Sequence, residues 1–237
     1  MDTDTLKVNT SDDRVLINTT SAGKATEGAD ILTVASPDNG HSGITVRSGT
    51  SSYGSFYFSD ATSGAGEYAA SMQFNHSNNQ LALGVGGSDY LKIDSSGRVT
   101  KPSQPAFSTR GTSYTQANSF TIVKPATTEL NVGNHYNSST GVWTVPVAGN
   151  YLVTANGLAY PSGTGGSGPV FNTAWYKNGN QWEDIQNGEF YSNHTSFINT
   201  AIIPCAVNDT LDFRFNRGSG SVAAYTGQFI MYGYLLG

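Results

Sequence analysis

The sequence predicts an all-β protein, a β-rich trimeric stalk in its first hundred residues followed by a β-sandwich head. Three observations predict it. Helical periodicity is absent from every window of about 11 residues, because Gly, Ser, Thr and Asn interrupt each one. Short alternating or β-branched runs recur instead, separated by turn residues. All three tryptophans, Trp143, Trp175 and Trp182, lie in the second half of the chain, where the runs lengthen.

In the first hundred residues the runs are 14–18, 30–35, 43–47, 55–59, 71–75, 80–85 and 90–93. Each is about five residues, roughly 17 Å of strand. Their apolar side chains read as few and evenly spread, with no stretch rich enough for a two-layer core. Weak, regularly spaced strands become stable when copies wrap around one another and bury a shared axis. The expectation is a trimeric β-prism or intertwined β-helix; a small independent β-domain is the alternative. Asp94-Ser95-Ser96-Gly97 then reads as a turn, and Pro102 and Pro105 stiffen an extended segment. The expected organisation is a stalk at 1–100, a linker at 101–104 and a head at 105–237.

Within the head, 171–185 reads as a hairpin about Asn178-Gly179, a strong type I′ turn signal. In 210–215, Leu211, Phe213 and Phe215 share one face while Asp212 and Arg214 share the other, the pattern of a half-buried strand. The last strand, 228–236, is apolar on both faces. Phe229, Met231, Gly233 and Leu235 lie on one, and Ile230, Tyr232, Tyr234 and Leu236 on the other. A two-layer sandwich covers one face only, so a second subunit is expected over the other. Ile230, Tyr232, Tyr234 and Leu236 are therefore the predicted trimer interface.

Charged residues are 12% of the chain, about half the roughly 25% usual for globular proteins. Their place is taken by Ser, Thr, Asn and 28 Gly, which gives a polar but nearly neutral surface suited to meeting glycans. A net charge of −5 argues against nucleic acid, which requires clustered Lys and Arg. Cys205 is the one cysteine, and its setting, Ile202-Ile203-Pro204-Cys205-Ala206, reads as a small buried hydrophobe rather than a reactive thiol. The start carries no basic and apolar secretion signal, and no apolar run approaches the ~20 residues that span a bilayer. Neither secretion by a signal carried here nor membrane insertion is expected.

The segment 131–155 resembles the signature of the C1q/TNF-like family, a ten-stranded jelly roll that assembles as a tight trimer. The matching positions are Asn131, Tyr136, Thr140-Gly141, Trp143, Pro146, Gly149 and Tyr151. Further resemblances follow in order: Pro105-Ala106-Phe107 to the opening strand, Trp175-Tyr176-Lys177-Asn178-Gly179 to the central hairpin, Asn208-Asp209-Thr210-Leu211 to a turn, and 229–236 to the closing strand. The chain departs from the pattern at Pro125, Val153 and Ala155, each standing where the family has an aromatic, and at Asn208, where it has Gly. Independently of the family, Trp143 and Tyr151 read as inward anchors of neighbouring strands. In the stalk, 43–49 and 90–99 resemble pieces of a bacteriophage tail-fibre shaft, and such fibres sometimes end in a C1q-like head.

No catalytic or metal site emerges. Gly163-Thr164-Gly165-Gly166-Ser167-Gly168 matches a dinucleotide-loop pattern, but Pro161 and Pro169 bracket it and no helix follows, so it reads as a surface loop. His41, His76, His135 and His194 are scattered without transition-metal spacing. Calcium held by oxygen ligands stays open, with no residue to assign. Glu183 and Asp184 are adjacent on one arm and point to opposite faces, so they cannot share a site. The protein is expected not to be an enzyme, and no cofactor is expected. For binding, the loops 160–170 and 187–195 carry aromatics among small polar groups, which stack on and hydrogen-bond sugars. Tyr191, Asn193 and His194 are the predicted receptor contacts, with Trp182 next; coverage of the sandwich edge is the alternative role for this loop's aromatics.

These readings converge on a virion fibre, most simply a phage tail fibre. Its homotrimeric head would bind a host-surface glycan or protein, and its N-terminal part would meet other tail or capsid proteins. The alternatives are a structural head fibre or tail plug without receptor binding, and a cellular C1q-like lectin or adhesin.

Overall fold

The computed structural model describes residues 7–9, 14–17, 32–34, 40–112, 119–161, 170–183, 185–189, 195–217, 222–224 and 229–237. The chain divides into two compact units, Met1–Thr100 and Lys101–Gly237. Both are built from strands; the helical turns among the described residues are two short 3-10 turns, Gly64–Tyr68 and Val132–Asn134.

Among the described residues the first unit holds two sheets. In the smaller, β1 (Lys7–Asn9) runs antiparallel to β2 (Arg14–Ile17), which pairs in parallel with β3 (Leu32–Val34). The larger is an antiparallel meander of β4 (Tyr53–Phe58), β5 (Ala70–Asn75), β6 (Gln80–Val85), β7 (Ser88–Ile93) and β8 (Val99–Thr100). Local chemistry explains its turns. Gly86 and Gly87, both at positive φ, make a two-residue link between β6 and β7, where L side chains would be strained. Between β7 and β8 the Asp94 carboxylate accepts from the backbone N–H groups of Ser96 and Arg98, at 2.9 and 3.0 Å, and closes the expected turn. The expected strand at 43–47 does not form: this stretch is exposed and has no ladder partner.

The second unit contains β9 (Ala106–Thr112), β10 (Thr121–Ile122), β11 (Pro125–Asn131), β12 (Tyr136–Asn137), β13 (Val142–Thr144), β14 (Gly149–Pro161) and β15 (Val170–Lys177). It continues with β16 (Asn180–Gln181), β17 (Gln186–Glu189), β18 (Thr195–Cys205), β19 (Thr210–Arg217), β20 (Val222–Ala224) and β21 (Ile230–Leu235). One sheet runs β11-β9-β21-β14-β18, with β20 also on β14. The other runs β12-β13-β19-β15-β16, with β10 on β19 and β17 on β15. All these pairings are antiparallel. The two sheets form a β-sandwich around one aromatic core.

That core is built by period-two alternation. On β18, Phe197, Asn199, Ala201, Ile203 and Cys205 point inward while Ser196, Ile198, Thr200, Ile202 and Pro204 point out. On β19, Leu211, Phe213 and Phe215 are buried as the alternation predicts. Phe107 stacks on Tyr136 at 4.9 Å and meets Trp143 edge-on at 4.6 Å; Trp143 in turn meets Tyr151 at 5.0 Å. Each such side chain contributes on the order of 1.5–3 kcal/mol by leaving water. Trp143 and Tyr151 do not lie on neighbouring strands, contrary to expectation: β13 and β14 belong to opposite sheets, so the two rings close the sandwich across its middle. Asn131 clamps the start of β12, its amide donating to the Tyr136 carbonyl at 2.9 Å and accepting from the Tyr136 N–H at 3.0 Å.

Asp212 departs from the half-buried pattern. It lies on the outward face of β19 yet is almost fully buried. The Arg214 guanidinium grips its carboxylate at 2.5 and 3.2 Å and lies 4.0 Å over the Tyr176 ring, so a paired charge covers a charge. Asp212 raises the pKa of Arg214 further above its usual value, through their hydrogen bond first.

Candidate functional site

The central hairpin sets one corner of the head. Asn178 and Gly179 both have positive φ, the type I′ geometry that the dipeptide predicts, and they join β15 to β16. Asn178 donates to Asp209 at 2.7 Å and accepts from the Thr210 N–H at 2.8 Å, tying the hairpin to the start of β19. Asp209 also accepts from the Ala206 N–H at 2.8 Å and pairs with Lys177 at 2.9 Å. The Asn178 amide foremost, then Lys177, draw its carboxyl down to about 2. Trp182, after β16, is 41% exposed, and the Lys177 ammonium stands 5.3 Å from its ring centroid. Of the predicted receptor contacts, Trp182 is thus an available aromatic plane beside a cation. Tyr191, Asn193 and His194 lie outside the described residues, as do 162–169 of the other candidate loop and Asp184.

The predicted trimer-interface residues form part of a broader surface. Along β21, Phe229, Met231 and Gly233 face the core, while Ile230, Tyr232, Tyr234 and Leu236 face outward with Ile230, Tyr234 and Leu236 exposed. Register extends each position across the sheet. Tyr234 pairs with Leu152, which pairs with Ile202; Ile230 pairs with Asn156, which pairs with Ile198. Ile198 is 63% exposed. Between these rows Tyr232 sits beside Thr154, whose hydroxyl is 3.0 Å from that of Thr200. On β9 the same rows continue to Ala106, Ser108 and Arg110, and Arg110 pairs with Glu129 at 2.6 Å. The outer face of β21, β14 and β18 is therefore apolar at its corners and uncharged at its centre, with the Arg110–Glu129 pair at its β9 edge.

A second uncovered face lies in the first unit. The register of the meander assembles three rows on one side: Phe58–Ala70–Val85, Phe56–Met72–Leu83–Leu91, and Gly54–Phe74–Leu81–Ile93–Val99. No charged residue is among them, and Phe58 and Val85 are 65% and 60% exposed. The opposite side reads Tyr53–Asn75–Gln80, Ser55–Gln73–Ala82–Lys92–Thr100 and Tyr57–Ser71–Gly84–Asp89, polar apart from Ala82 and Gly84. Four six-residue strands about 4.8 Å apart, flanked by the two-residue β8, present roughly 400 Å² of apolar face in projection, the size of patch that is often functional. The apolar residues of this region are thus not evenly spread. Their alternation, Phe56/Phe58, Met72/Phe74, Leu81/Leu83/Val85 and Leu91/Ile93, was the signal that could have found the face. A bulge at β7 restores its phase.

Among the described residues no group of three or more His, Cys, Asp or Glu converges as a metal site would. His41 is exposed, His76 packs edge-on against Phe74 at 4.9 Å, and His135 lies beside the 3-10 turn at Val132–Asn134. Cys205 is buried, and desolvation pushes its thiol up to about 11, which suppresses the thiolate at neutral pH.

No family model matches this chain, and no curated protein matches it in sequence. Among solved structures it is similar to the globular domain of zebrafish complement 1qA protein. The identity is 15% and the TM-score 0.40, over 56% of this chain and 98% of the other. A likeness of this size transfers no residue role.

Proposed function

We propose that this chain is a homotrimeric virion fibre protein, a phage tail fibre, whose C1q-like jelly-roll head binds a glycan receptor on the host surface. The observation that carries the reading is the pair of uncovered apolar sheet faces, one in each unit. Each face is an unpaid cost in a single chain, and three copies offer each one an identical, largely apolar counterpart around a shared axis. In the stalk this gives a prism whose walls are meanders. In the head it gives contacts through Ile230, Tyr232, Tyr234 and Leu236. The nearly neutral, Asn-, Ser- and Thr-rich surface supports a saccharide receptor, with Trp182 the aromatic available to stack on it.

Light scattering on the eluting protein is expected to give three chains per particle; a stable 25.0 kDa monomer overturns the assembly. Purified protein is expected to adsorb to intact host cells and to block infection by the parent virion. Loss of that competition on removing surface polysaccharide assigns the receptor to a glycan, and absence of adsorption overturns receptor binding.

A further inference from the structure

We propose that the polar face of the meander is a second ligand site, which takes one ring of a neutral saccharide. The face holds an open hollow of about 240 Å³ lined by Tyr53, Gln73, Asn75, Gln80, Asp89 and Lys92, together with Asn78 and Ala82. It is smaller than the roughly 300–1,000 Å³ of pockets that enclose drug-sized ligands, and matches a single ring bound at a surface.

The lining has the chemistry of sugar recognition. A sugar hydroxyl both donates and accepts, and so does each side-chain amide; four amides converge here. Some of them are already used to hold the site. Asn75 accepts from the Ser77 N–H and hydroxyl at 2.9 and 2.7 Å and donates to the Tyr53 hydroxyl at 3.1 Å, which fixes the Tyr53 ring at the rim. Gln73 donates to the hydroxyls of Tyr57 and Ser71, both at 3.1 Å. Capacity remains: among the described residues the Gln73 amide oxygen and the whole amides of Asn78 and Gln80 have no hydrogen-bond partner.

Charge selects the ligand class. Asp89 and Lys92 stand 3.2 Å apart and neutralise each other, so the hollow attracts neither phosphates nor uronates. Each can still hydrogen-bond a hydroxyl, and the half-exposed Tyr53 ring offers a plane for the C–H face of a pyranose. The site lies wholly in the first unit and does not depend on receptor binding by the head.

Saturation-transfer NMR on the full chain tests it, using glucose, galactose, N-acetylglucosamine and their β-linked disaccharides, with glucuronate as the charged control. Transfer to at least one neutral sugar is expected, with at least tenfold weaker affinity in Tyr53→Ala and at least fivefold in Gln80→Ala. Gln80 makes no side-chain bond here, so that variant keeps the fold, as its melting temperature will report. Trp182→Ala is expected to leave this binding unchanged. The proposal is overturned if no neutral sugar shows transfer, if Gln80→Ala binds as well as the parent, if glucuronate competes equally, or if Trp182→Ala abolishes the signal.

Discussion

Gly233 sits against three packed core side chains at once. A Cβ there would stand 2.8 Å from the Trp143 ring, 2.9 Å from the Phe107 ring and 3.0 Å from Val153. None of these can retreat in a packed interior, so Gly233→Ala is expected to destabilise the head by about 1–3 kcal/mol, read as a lowered denaturation midpoint. The same neighbourhood accounts for the small residue at position 153: two large rings, Trp143 and Phe107, converge beside it. Asn208, where the related pattern has Gly, keeps a φ of 68°, a conformation Asn tolerates better than most residues. At this scale the sequence was informative where a residue's role depends on its own neighbours in the chain, as with Asn178-Gly179, Tyr136 and Cys205. It was misleading for Asp212, whose cover comes partly from Tyr176 on another strand.

The Asp209 carboxyl offers a pH test at the same scale. Its folded pKa, about 2, lies below the ordinary 3.8, so it contributes stability that is present above about pH 4 and lost as pH falls through about 2. Replacing Asn178 by Gly keeps the positive φ and removes the leading hydrogen bond. The Asp209 midpoint, followed by carboxyl NMR, is expected to rise toward 3.8 in Asn178→Gly, and acid unfolding is expected to begin at higher pH.

Strands carry the next level. In the head, alternation over long runs was enough to orient β19 and β21, because one face of each meets a single core. In the first unit each run is short, and no run reveals a face until hairpin register lines it up with the next. The apolar wall of β4 to β8 was therefore invisible run by run, and 43–47, β-branched yet unpaired, was mistaken for one of its members. The wall predicts opposite outcomes from its two sides. Leu83→Asp, on the apolar side, is expected to shift the scattering mass from three chains toward one. Thr100→Asp, on the polar side, is expected to leave the mass unchanged; equal behaviour of the two variants overturns the wall as an interface.

For the whole molecule, the two-unit division and the all-β character followed from turn chemistry and composition, which act locally. The proposed trimer, by contrast, rests on surfaces that a single chain leaves uncovered. The sequence pointed to one of them, because β21 is apolar on both faces over a single run. The other needed four hairpin partners to become visible. A chain with two such faces gives the assembly two independent seams, and a substitution in one is expected to loosen its own unit first.

The one-sided meander has a further consequence, in time rather than in space. If other chains supply the covering layer, as proposed, the sheet cannot finish folding alone, and its last step is a collision. Recovery from denaturant should slow on dilution, and the melting temperature should rise with protein concentration. Once the chains have met, separating them means exposing every wall at once. Such a particle would dissolve far more slowly than it forms, outlasting conditions under which a lone chain would not fold at all.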